Sequence, residues 1–99
     1  MEKLFRSLKG LAEREGIHIE EVALPKPLRG FIDKRPGRPS IILLDSRLTV
    51  KRKTETLAHE LAHHFLNHGN LIKCQDAEKV QQAENEADNF ARALMSAIA

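Results

Sequence analysis

The sequence predicts an α+β domain, and three observations predict it. Residues 3–15, 49–68 and 77–97 carry apolar side chains at helical spacing. Between the first two of these runs lie three short strand-like stretches: Ile17 to Glu20, Leu28 to Asp33 and Ser40 to Asp45. All 4 prolines fall between the strand-like stretches, where the chain must turn. The predicted order is therefore helix, about three strands, then two helices. A chain of 99 residues is expected to form one small domain, spanning residues 1–99.

Each element has a local reason. Leu4, Phe5, Leu8, Leu11 and Ala12 recur at i, i+3, i+4 spacing, and Gly16 is placed to end that helix in the left-handed conformation. Ile17-His18-Ile19-Glu20 alternates apolar and polar, as a half-buried strand does, with His18 on its surface. The alternation slips at Glu20-Glu21, which predicts a bulge or a strand end. Pro25 and Pro27 force a loop. The next two strands are expected to pair, with Pro36-Gly37 as a turn in the loop between them. Ile41 to Leu44 is apolar at every position, which predicts a central strand sandwiched between helices. Thr49 is the expected N-cap of the second helix, and Gly69-Asn70 its expected stop. The last helix sets Val80, Ala83, Ala87, Phe90, Ala91 and Leu94 on one face.

Composition narrows the class of function. With 4 Phe, no Trp and no Tyr, the core must be aliphatic and modest, and a bound metal would add to its stability. A formal charge of +2 argues against a nucleic-acid partner. Lys34, Arg35, Arg38, Arg47, Lys51, Arg52 and Lys53 make the middle of the chain basic, read here as a solvated face. The single Cys74 cannot form an internal disulfide and fits a reducing compartment. No apolar run has the length of a secretory signal or a membrane span, so the expected location is the cytoplasm. No feature of the sequence sets an oligomeric state.

The chemistry is concentrated in the second helix, in His59-Glu60-Leu61-Ala62-His63. Residues four apart on a helix lie one turn apart on one face, so His59 and His63 can aim two imidazoles at one ion. Glu60 sits about 100° round from His59, in reach of a water beside that ion without being a ligand itself. Two His and one carboxylate with an open position form a hydrolytic zinc site. Leu57, Ala58, Leu61, Ala62 and Phe65 make the apolar stripe, and the two histidines flank it.

A third ligand is expected from the last helix, which offers Glu84, Glu86 and Asp88. Glu84 lies beside the apolar face and is the candidate ligand; Glu86 lies further round and is the alternative. Asp88 is placed to hydrogen-bond the outer nitrogen of a ligating histidine and fix its tautomer. His64 and His68 form a second i, i+4 pair on a different face, assigned to capping, packing or a substrate-side role. Cys74 is a weaker candidate for a fourth ligand. No Tyr is present to stabilise an oxyanion, which leaves His18, His64, His68 or an Arg.

Two blocks together resemble the ImmA/IrrE family of zinc metallopeptidases. One is Leu57-Ala58-His59-Glu60-Leu61-Ala62-His63 with Leu66 and His68 after it. The other is Glu84-Asn85-Glu86-Ala87-Asp88-Asn89-Phe90-Ala91-Arg92-Ala93-Leu94-Met95. Ser96 departs from the Pro that relatives often carry there. The resemblance implies a minimal zincin-like (gluzincin) fold, His59, His63 and a glutamate on Zn²⁺, and Glu60 as general base. It also implies a protein substrate, such as a helix-turn-helix repressor of a phage or mobile element. The expected function is thus zinc-dependent endopeptidase. The rival is a non-catalytic, zinc-stabilised interaction module that regulates a transcription factor by binding it.

Overall fold

A computed structural model describes residues 1–68 and 76–99. The order is α1 (Glu2–Arg14), β1 (His18–Val22), β2 (Gly30–Asp33), β3 (Ile41–Asp45), α2 (Val50–Phe65) and α3 (Ala77–Ile98). This is a small α+β domain, with three helices and one mixed sheet among the described residues, as a minimal zincin-like domain requires. Cys74 and the expected stop at Gly69-Asn70 lie outside the described residues.

The sheet order is β1-β3-β2. β3 runs parallel to β1 and antiparallel to β2, with Ile42 opposite both Ile19 and Ile32. The register between β1 and β3 is unbroken from His18 to Val22, so neither the bulge nor the strand end expected at Glu20-Glu21 is present. β1 is an edge strand on which only Ile19 is partly buried. Its side-chain polarity therefore reports little about its backbone pairing. Pro36-Gly37 does turn the chain, with Gly37 at φ 72° and Arg38 N–H donating to the Arg35 carbonyl at 3.2 Å.

The core gathers Leu8 and Ala12 of α1, Ile32, Ile42 and Leu44 of the sheet, Leu57, Ala58, Leu61 and Ala62 of α2, and Ala87 and Ala91 of α3. α1 and α2 contact the sheet, whereas α3 packs along α2. The expected sandwich of β3 between helices is therefore not formed. Ile42 and Leu44 face the core, while Ile41 is exposed and Leu43 pairs across to Phe31 on the opposite face. A short apolar run can be covered by cross-strand neighbours as well as by a helix, and periodicity does not separate the two.

Two contacts fix where α2 sits. Thr49 caps its start, its side chain accepting from Arg52 N–H at 3.2 Å. Gly30 lets it approach the sheet: a Cβ there would lie 2.8 Å from the Leu43 carbonyl oxygen and 2.8 Å from Thr56 Cγ2. The close approach sets α2 against the edge strand β2.

Much of the basic middle segment is bound up in this framework. Arg47 hydrogen-bonds Asp45 at 3.0 Å and the Leu24 carbonyl, and its hydrogen bonds hold the Asp45 carboxyl below the ordinary range. Lys53 pairs with Glu21 at 2.5 Å, Arg35 with Asp33 at 2.9 Å, and Lys34 donates to the His64 carbonyl at the end of α2 at 3.2 Å.

Candidate metal centre and cleft

The site forms where α3 crosses α2. Three small residues of α3, Ala83, Ala87 and Ala91, are buried against the core. Their size brings the helix close to α2 and carries Glu84 over the motif. His59 Nε2 and His63 Nε2 are 3.1 Å apart. Glu84 reaches both, with Oε2 at 2.7 Å from His59 Nε2 and Oε1 at 3.2 Å from His63 Nε2. One ligand atom from each of the three residues lies within 4.8 Å of the others. Zinc bonds of about 2.0–2.2 Å to nitrogen and oxygen suit such a cluster. Burial also lowers the His63 pKa, favouring the neutral imidazole that a metal needs.

The outer nitrogens are held as well. His59 Nδ1 is 2.8 Å from Asp88 Oδ1, the contact expected one turn beyond Glu84. His63 Nδ1 is 2.8 Å from His68 Nδ1, a contact the sequence reading did not foresee. Glu86 is not in the cluster. It lies on the far side, 3.7 Å from His68 Nε2. The expected His64–His68 pair does not form either. α2 ends at Phe65, which takes His68 out of helical register, and His64 meets Glu15 at 3.2 Å instead.

Glu60 is 7% exposed, on the wall of a cleft of about 480 Å³. Burial pushes its carboxyl pKa up to about 7; the Glu84 charge adds to this, while His59 and the Ile32 N–H oppose it. His59, Glu84 and Asp88 share that cleft with Gly30, Thr56 and Glu55. Glu55 stands one turn before His59, and its enclosed Oε1 has no hydrogen-bond partner among the described residues. The i−4 spacing was a signal for it, but a lone glutamate on a helix reads as a surface residue. Of the oxyanion donors considered, only arginine lines the cleft, as Arg29 and Arg52. His18 is exposed and pairs with Glu20.

The family model of the IrrE N-terminal-like domain, a peptidase family, matches residues 12–97. The chain belongs to this family. For an IrrE-like domain, the match spans everything from the end of α1 to the end of α3, including both halves of the cluster. Searches of curated proteins and of solved structures returned no match. No helix among the described residues is long and apolar enough to cross a membrane.

Proposed function

We propose that this IrrE-like domain is a zinc-dependent endopeptidase. One observation carries the reading: two imidazoles and a carboxylate converge, and two of the three, His59 and Glu84, line one cleft with the buried Glu60. His59, His63 and Glu84 would hold the ion, and zinc suits this donor set. When bound, such an ion polarises a carbonyl and acidifies water to near neutrality.

The chain's own residues supply the rest. Glu60 accepts a proton from the attacking water at its carboxylate. Water oxygen bonds to the scissile carbon, the C–N bond breaks, and Glu60 returns the proton to the leaving amine nitrogen. Asp88 orients His59 through Nδ1. Arg29 and Arg52 are the cationic groups at the cleft that can meet a developing oxyanion. The β2 edge at Gly30 borders the same cleft and offers backbone groups to an extended peptide.

The substrate in this reading is a cytoplasmic protein. A helix-turn-helix repressor of a phage or mobile element is the candidate that the family resemblance suggests. The test is Glu60→Gln, assayed for cleavage of a panel of such repressors by mass spectrometry. Zinc and fold retained with cleavage lost supports the reading. Repressor regulation that survives Glu60→Gln overturns it and favours a binding module.

A further inference from the structure

The way α2 ends gives His68 a task. The chain leaves the helix through Leu66, and Asn67 then takes a left-handed conformation at φ 58°. Asn67 N–H donates to the His64 carbonyl and His68 N–H to the His63 carbonyl, both at 3.1 Å. These two bonds are the Schellman motif, which folds the residue two past the cap back over the last turn of the helix. An apolar contact often accompanies that fold. Here the two positions are His68 and His63, and their rings meet edge to face with centroids 5.1 Å apart.

We propose that His68 is a positioning residue for the metal centre, anchored at its far side by Glu86. The inference rests on the metal site proposed above. Proton bookkeeping leaves one arrangement. A neutral His63 that uses Nε2 as ligand carries its proton on Nδ1. That N–H points at His68 Nδ1, 2.8 Å away, which must then be an unprotonated acceptor. The His68 proton therefore sits on Nε2, which faces Glu86 Oε2 at 3.7 Å, an ion-pair distance rather than a hydrogen bond. His59 has the shorter version of the same support, with Asp88 directly on Nδ1. Among the described residues no carboxylate meets the outer nitrogen of His63, and the helix stop supplies an imidazole in its place. Glu86, the rejected alternative ligand, thereby gains a role one step further out.

Zinc affinity of His68→Ala and His68→Gln, measured by competition with a chromophoric chelator, tests this. Outer-shell partners of metal-bound histidines are worth about 10–100-fold in affinity. His68→Ala should weaken Zn²⁺ binding by about that factor, and His68→Gln, whose amide oxygen can accept from Nδ1, should recover most of it. The second measurement needs no variant. In the ¹⁵N spectrum of the zinc-loaded protein, His63 should appear as the Nδ1–H tautomer and His68 as the Nε2–H tautomer. A His68 tautomer with its proton on Nδ1 overturns the proposal, even if His68→Ala fails to fold. Unchanged affinity in His68→Ala, with wild-type zinc binding intact, overturns the positioning role alone. A wild type that binds no zinc overturns the metal site and the positioning role with it.

Discussion

Glu60 should make the metal-free domain lose stability as pH rises, and Glu60→Gln should remove that loss. Glu60 is 7% exposed, and burial raises the pKa of its carboxyl from 4.5 to about 7. A raised folded pKa means that the native state holds the proton more tightly than the unfolded chain. The stabilisation is complete below the unfolded pKa near 4.5 and is lost as pH climbs to about 7. Each pKa unit is worth about 1.4 kcal/mol, so the full shift corresponds to about 3 kcal/mol. Glutamine has similar size and does not ionise. In chelator, the stability of Glu60→Gln relative to wild type should therefore grow by roughly 2–3 kcal/mol between pH 5 and pH 8. Urea unfolding of both proteins at the two pH values reads this directly. A difference that stays constant with pH would refute the reasoning, because Glu60 would then ionise as freely in the fold as in the unfolded chain.

Two further outcomes follow from the packing and the outer contacts of the site. Gly30→Ala should cost about 1–3 kcal/mol in unfolding free energy, since the new methyl meets backbone at the Leu43 carbonyl; a neutral result would show that α2 does not depend on that approach. Asp88→Asn should weaken zinc binding about 10–100-fold, as measured by chelator competition, with the helical circular-dichroism signal unchanged.

The fold class was legible because the apolar periodicity switches cleanly, from 3.6 in the helices to short β runs and back. The cluster of His59, His63 and Glu84 side chains was legible because helix geometry alone puts His59 and His63 on one face, and because the alanines at 83, 87 and 91 mark the side of α3 that approaches α2. Glu84 borders that side and Glu86 does not. Three things were not legible. The unbroken β1 register depends on backbone hydrogen bonds, which leave no mark on an exposed edge strand. The open face of β3 depends on which elements remain to cover it, a property of the whole topology. The end of α2 was expected at Gly69-Asn70, yet Asn67 already takes the positive φ. Asn enters that conformation more readily than most residues other than glycine, so the earlier stop was available in the sequence but outweighed by the glycine. That two-residue difference is what separates a His64–His68 pair from a His63–His68 contact.

The central claim is a metal held by His59, His63 and Glu84, and elemental analysis tests it most directly. Wild type, His59→Ala and Glu84→Ala would be purified, stripped with chelator and reconstituted with zinc in parallel. The expected result is about one zinc per chain in wild type and loss of the metal in both variants. A wild type that takes up no zinc, or a Glu84→Ala variant that keeps it in full, would contradict the three-ligand centre.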